Sequence, residues 1–328
     1  MYFLMILTDG DINLKTVNEL VDNVYVLNLE DELFKYEMLA RKLDKKNIKH
    51  ERFIATIGQA NDTSLLEQFQ MYAQAIEKYK DSDVIDAMIV LSGKNICLNL
   101  GPMRSPGADG CRQSNKRILE DAIKNDYDSI LIFQDDIYFH NEFDTLLALH
   151  YEEIKRSDIF YLGATEHSEG IKKHKWANPS WNYDKSKKDR RDYLKYRPTI
   201  QTYGEFGVYI HKNVFQELLE LVSLECFADD QCLGILSSGK YKRRSWVSYP
   251  NLVIADMSFS GTFNHTYTPR RTTDKLFCIS NCRWQDDKPH RHIDTWDMFG
   301  WDTNYYDLEE RYYPANNYTL HRSSEQLT

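Results

Sequence analysis

The chain is predicted to fold as an α/β protein around a mostly parallel central sheet with helices on both sides. Two observations lead there. Apolar segments with strand and helix periods alternate along the chain, and the run Ile130-Leu131-Ile132-Phe133 is wholly apolar, as a central parallel strand covered on both faces requires. With 42% hydrophobic residues over 328 positions there is enough apolar side chain for one large core, with room for an appendage.

The elements follow in order. Val24 to Leu29 has strand composition, and Leu33 to Lys46 places Tyr36, Leu39, Ala40 and Leu43 at helical spacing. Phe53-Ile54-Ala55 comes next, completing a βαβ unit of the sort that builds parallel sheets. Ser114 to Lys124 repeats the helical pattern with Ile118, Leu119, Ala122 and Ile123 and feeds the strand at 130–133. A helix is expected from about Phe143 to Ile154 and a buried strand over Ile159 to Gly163. Phe206, Val208 and Ile210 alternate as on a strand, and Val214, Phe215, Leu218, Leu219 and Val222 form an apolar helix stripe. No internal repeat is found.

Charge and cysteine usage narrow the class. Forty-one Lys and Arg against 50 Asp and Glu leave a formal charge of −9, which disfavours a general nucleic-acid or anionic-membrane binder. Residues 2–7 are apolar but too short for a secretory leader, and no later run approaches a membrane span, so a cytoplasmic location is expected. Six scattered cysteines form no disulfide framework, in keeping with a reducing compartment.

Directly behind the apolar run stand two carboxylates, Asp135 and Asp136. Ligands of parallel α/β sheets bind beyond the carboxyl ends of the strands, where this pair emerges. While the backbone stays extended, Gln134 and Asp136 would share one face and Asp135 the other. Two readings remain open: a polar turn, or a site where a hard divalent ion takes oxygen ligands and a phosphate.

Several stretches in fixed order widen the context. They are VYVLNLEDELFKYEMLARKL at 24–43, GCRQSNKRILEDAI at 110–123, ILIFQDDIYF at 130–139, DIFYLG at 158–163, YGEFGVYIHKNVFQELLEL at 203–221 and DQCL at 230–233. In that order the chain from Val24 to about His265 resembles glycosyltransferase family 25, the group of lipopolysaccharide-type β-galactosyltransferases and procollagen galactosyltransferases. The resemblance implies a GT-A-type nucleotide-sugar-binding fold, a UDP-sugar donor, a divalent cation (Mn²⁺ or Mg²⁺) and inverting transfer of galactose or glucose to a hydroxyl of a glycan or hydroxylated protein acceptor. Carried onto this chain, it makes Asp136 a metal ligand, Asp135 a ligand of the same ion or of the ribose, and His265 a further metal ligand from the carboxyl-terminal side. Asp230 becomes the base, a role that Asp229 or Glu225 could equally fill, while Asn28, Lys35 and Ser114 stand near the nucleotide. The chain departs from the family pattern at Gln134, usually Glu, at Asn115, usually His, and at Lys35, where Arg is common. An amide adds no negative charge for a metal and Lys lacks the two-pronged geometry of Arg, so a catalytically silent nucleotide-sugar-binding protein is the alternative. Paired carboxylates also suit a metal-dependent phosphodiesterase, against which the lack of a second acid-rich cluster in the sequence counts.

The expected organisation is a leader at 1–22, a transferase domain at 23–265 and an aromatic-rich appendage at 266–328. Residues 171–198 form an insertion with ten Lys or Arg against three Asp, interleaved with aromatics. They read as a loop that closes over the diphosphate or steers an acidic acceptor, or as a solvated insertion. Single-strand nucleic-acid sites share that composition, but the acidic whole makes such a partner unexpected.

Overall fold

The structure, a computed structural model, describes residues 16–59, 63–98, 106–140, 142–166, 195–200, 202–248 and 251–255. Its strands are β1 (Asn23–Asn28), β2 (Glu51–Ile54), β3 (Ser129–Gln134), β4 (Ile137–Phe139), β5 (Ile159–Glu166), β6 (Lys195–Tyr196), β7 (Thr202–His211), β8 (Ser245–Ser248) and β9 (Val253–Ala255). Its helices are α1 (Leu33–Lys45), α2 (Leu65–Lys78), α3 (Ile85–Leu98), α4 (Pro106–Lys124), α5 (Phe143–Arg156), α6 (Lys212–Val222) and α7 (Asp229–Ser238).

Seven strands form one sheet in the order β2-β1-β3-β7-β5-β8-β6, and β4 pairs with β9 in a second small sheet. The β1-α1-β2 unit is parallel, with Tyr25 opposite Glu51, and β1 also pairs parallel with β3. β7 runs antiparallel to both of its neighbours, β3 and β5, and β6 runs antiparallel to β8, which is itself parallel to β5. Five strands therefore point one way and two the other, so the sheet is mixed α/β, mostly parallel, and consistent with a GT-A-like fold. The interior strand β3 thus has one parallel and one antiparallel neighbour.

Alternation along the strands sends side chains into two apolar layers. Tyr25, Ile130 and Ile132 join Val208, Ile210 and residues of α2, α3, α4, α6 and α7 on one face. Val24, Val26, Leu131 and Phe133 join Leu39, Leu43, Phe143, Leu147 and Ile154 from α1 and α5 on the other. Full burial of each such side chain contributes roughly 1.5–3 kcal/mol relative to exposure. The second layer sets the geometry after β3: the Phe133 ring meets Phe139 of β4 edge-on at 5.8 Å, and Phe139 meets Phe143 of α5 at 4.8 Å.

The sequence assigned no element to 65–98, where α2 and α3 lie. Helix α2 opens with a reciprocal cap: Ser64 Oγ accepts from the Glu67 backbone N–H while the Glu67 carboxylate accepts from Ser64 N–H. Nor does the alternation expected at 206, 208 and 210 hold throughout: Val208 and Ile210 share one layer, but Phe206 lies in the other with Tyr209. Irregular backbone brackets that exchange. Gly204 adopts φ 75°, and the β5–β7 register shifts around Gly163. Of the insertion at 171–198, residues 195–198 are described, and Lys195–Tyr196 pairs with β8 at the sheet edge. The appendage at 266–328 and most of the leader lie outside the described residues. Cys226 and Cys232 are free thiols, and among the described residues no helix is long and apolar enough to cross a membrane.

Candidate functional site

Both polar clusters of interest sit at one rim, beyond the carboxyl ends of β1 and β3. Strand β7 runs antiparallel to β3, with Gly207 opposite Phe133, so its first residues reach the same rim.

The first cluster surrounds the acidic pair. Strand β3 ends at Gln134, and Asp135 and Asp136 form the turn into β4, so the strict alternation expected through Asp136 stops two residues earlier. Asn28, the last residue of β1 and 1% exposed, donates from Nδ2 to Asp135 Oδ2 at 2.5 Å and to the Glu32 carbonyl at 3.0 Å. Its Oδ1 accepts from Arg52 Nε of β2 at 2.8 Å, and Arg52 Nη2 also donates to the carbonyls of Leu29 and Glu30. Three adjacent strands are thereby stitched together where they end. Lys35, in the first turn of α1, is buried and donates to Glu32 Oε2 at 2.5 Å.

Burial raises the Asp135 carboxyl to about 6, opposed by the positive charge of Lys35 and the Asn28 hydrogen bond. Burial lowers the pKa of the Lys35 ammonium, but the charges of Asp135, Glu32 and Asp136 outweigh it and hold the group charged, above the ordinary lysine value. Lys35 is therefore close enough to both members of the acidic pair for their charges to act on it.

The second cluster joins α4, β7, α7 and α3. Asn115 Nδ2 on α4 donates to Asp229 Oδ2 at 2.6 Å and approaches Glu205 Oε2 of β7 at 3.3 Å. Glu205 is 3% exposed, and its Oε1 finds no hydrogen-bond partner among the described residues. Asp229 is buried, whereas Asp230, its neighbour in the first turn of α7, is partly exposed and accepts from the Gly204 N–H at 3.4 Å. Helix N-termini favour such negative charges. Lys94 on α3 lies near enough to Asp230 to lower its pKa, and donates to Tyr203 Oη at 2.9 Å. Gln231 and Asn95 exchange two 2.9 Å amide hydrogen bonds and tie α7 to α3.

Burial pushes all three carboxyls upward, and neighbouring carboxylates add to the shift at Asp229 and Glu205. Asp229 reaches about 7 through burial and the Asp230 charge, Glu205 lies well above the ordinary value through burial and then Asp229 and Asp230, and Asp230 is raised by burial.

Ser114 is fully buried on α4, where its hydroxyl donates to the Gly110 carbonyl at 2.6 Å and accepts from the Thr56 N–H at 2.8 Å. It locks the segment after β2 onto the helix. Two glycines permit that approach: a Cβ on Gly58 would lie 1.9 Å from the Pro106 carbonyl oxygen and 2.3 Å from the Gly110 nitrogen.

Of the residues singled out in the sequence, Asn28, Lys35, Asp135 and Asp136 come together, and Asp230 belongs to the second cluster with Asn115. Ser114 contacts the chain rather than either cluster, and His265 lies outside the described residues. Sequence reasoning missed Arg52, Glu32, Lys94, Tyr203 and Glu205. A lone acid in the otherwise apolar strand around Phe206-Gly207-Val208 was the available signal for Glu205. Among the described residues, no group of three or more His, Cys, Asp or Glu could hold a metal ion. Two carboxylates with substrate phosphates remain a donor set that Mg²⁺ or Mn²⁺ accepts.

A family model described as glycosyltransferase family 25 (LPS biosynthesis protein) matches residues 21–233. Comparison with the curated proteins gave no match. The matched segment contains Asn28, Lys35, the Asp135–Asp136 turn, Glu205 and Asp230.

Proposed function

The chain belongs to glycosyltransferase family 25, and from that premise we propose that it is a metal-dependent inverting hexosyltransferase. In this reading it moves galactose or glucose from a UDP-sugar to a hydroxyl of a glycan or hydroxylated protein. The observation that carries it is the acidic pair at the end of β3, with Asp135 held by Asn28 and the charges of both carboxylates acting on Lys35.

Asp136 and Asp135 would hold the divalent ion, which when bound supplies Lewis-acid stabilisation of the charge on the departing diphosphate. His265 is the expected additional ligand. Asn28 and Arg52 fix the turn by clamping three strand ends, so Asp135 does not have to be ordered when the nucleotide arrives. Lys35 adds a permanent positive charge on the diphosphate side. Ser114 acts indirectly, by seating the segment after β2 that borders the nucleotide. Asp230 takes the proton from the acceptor hydroxyl: it is partly exposed at the rim, and burial shifts its carboxyl upward toward the range where a carboxylate is an effective base. Of the insertion at 171–198, the part preceding the Lys195–Tyr196 strand would close over the donor and exclude water.

The test is release of UDP from UDP-galactose and UDP-glucose in the presence of Mn²⁺, compared with Asp136→Ala. Loss of at least about a hundredfold in turnover is expected, the scale on which removing one charge-stabilising group acts. UDP binding without turnover on any UDP-hexose would instead identify a silent nucleotide-sugar-binding protein. Cleavage of simple phosphodiesters lacking a sugar would point to a phosphodiesterase.

A further inference from the structure

The second cluster contains a group that the proposed chemistry does not use. Glu205 lies on β7 beneath the first turn of α7, 3% exposed, with Asn115 Nδ2 3.3 Å from its Oε2 and no donor for its Oε1 among the described residues. Its carboxyl is within hydrogen-bonding reach of Asp229, whose Oδ2 already receives the same Asn115 amide at 2.6 Å. An amide nitrogen has two protons, and Asn115 spreads them over Asp229, Glu205 and the Cys111 carbonyl. The charged and titratable groups facing Glu205 are Asp229, Asp230 and Cys232 from α7, with Lys94 of α3 directed toward Asp230. No cation reaches Glu205 itself among the described residues. Asp229 also accepts backbone N–H groups of the first turn of α7, but among the described residues Glu205 receives only the shared Asn115 amide, so in this dry site the pair is satisfied when Glu205 carries a proton.

We propose that Glu205 is a positioning residue whose carboxyl stays protonated and donates to the Asp229 carboxylate, so that β7 fixes the first turn of α7 and sets Asp230 at the rim. Oε1 receives no donor among the described residues, so it can carry the proton while Oε2 accepts from Asn115. The functional half of this inference rests on the reading of Asp230 as the base. The protonation half does not, because it needs neither donor nor metal. Upward pKa shifts at Glu205 and Asp229 agree with one shared proton.

The experiment has two arms on the full-length chain. In the first, melting temperature is followed from pH 5 to 8 without ligands for the wild type and Glu205→Gln. A buried acid that keeps its proton in the folded state but loses it on unfolding makes stability fall as pH rises above the ordinary Glu range. Glu205→Gln, which has the same shape and is permanently neutral, is expected to remove that component, and the infrared band of a protonated carboxyl should disappear with it. An unchanged pH slope and an unchanged infrared band would overturn the proposal, since Glu205 would then be ionised. In the second arm, Glu205→Ala should lower kcat on the UDP-sugar at least about tenfold with KM for the donor retained, and Glu205→Gln should restore most of it. Loss of kcat in Glu205→Gln as large as in Asp230→Asn would also overturn the proposal, by making the ionised form essential. If the wild type turns over no UDP-sugar, the transferase reading fails, and the first arm still decides the proton.

Discussion

Asn28 Nδ2 lies 2.5 Å from Asp135 Oδ2, joining the last residue of β1 to the first residue beyond β3. The same side chain serves the Glu32 carbonyl and Arg52, so three polar partners depend on one buried amide. Asn28→Leu keeps the volume and removes every bond. The expected cost is about 1–3 kcal/mol, the range for a buried polar group left without its partner, read as a lower urea midpoint with an unchanged slope. Donor turnover should fall further than the folded fraction does, because Asp135 loses the bond that orients it.

Gly58 faces backbone rather than a flexible side chain, with its would-be Cβ 1.9 Å from the Pro106 carbonyl oxygen. Gly58→Ala therefore forces the segment after β2 away from α4 and breaks the Thr56 N–H to Ser114 Oγ bond. A loss of about 1–3 kcal/mol is expected, as for other overpacked positions. A melting temperature equal to the wild type would show that the two segments separate without cost.

Much of this arrangement was legible in the sequence where a period and a boundary agreed. Strand β1, helix α1 and β2 were found because their apolar residues keep period and their ends are polar, and the Asp135–Asp136 turn was found because a four-residue apolar run stops there. The pair is a turn, as one of the two readings has it, and the charges of both carboxylates act on Lys35 beside it. Glu205 was hidden for a physical reason. Phe206, Val208 and Ile210 suggest a uniform strand, but Phe206 packs with Tyr209 on the opposite face beside the left-handed Gly204, and a face exchange leaves no periodic trace. Lys94 and Tyr203 meet across 109 residues, a separation that spacing rules do not address.

Acid should destabilise the fold through buried imidazoles. His150 on α5 is 2% exposed, 5.4 Å from the Phe160 ring, and its Nε2 has no partner among the described residues. Burial, then the Lys195 charge, lowers it to about 4, and burial lowers His140 equally to about 4. The unfolded chain binds these protons near the ordinary pH 6.5 and the folded chain does not, so stability falls as pH drops through that value toward 4. Between pH 7 and 5 one such group accounts for roughly 2 kcal/mol. His150→Leu should flatten the acid side of a stability profile by about that amount and leave the His140 share in place. An identical profile would mean that His150 is protonated in the folded state. The shared proton at Glu205 tilts stability the opposite way over the same range, so only the difference between variant and wild type isolates each group.

Lys35 separates metal binding from diphosphate binding. Its ammonium, 6% exposed and paired with Glu32 at 2.5 Å, repels a divalent ion arriving at Asp135 and Asp136 yet attracts the diphosphate that comes with it. Lys35→Met removes one charge at similar length. Mn²⁺ alone should then bind more tightly, because two carboxylates lose a competing cation, while UDP in the presence of Mn²⁺ should bind about tenfold more weakly, or about 1.4 kcal/mol. Calorimetric titration of each ligand reads both shifts. Lys35→Arg keeps the charge, so it should restore UDP affinity to the extent that the guanidinium fits beside Glu32. Opposite signs for the two ligands are the diagnostic result, since simple loss of folded protein weakens both, and an unchanged UDP affinity would confine Lys35 to pairing with Glu32.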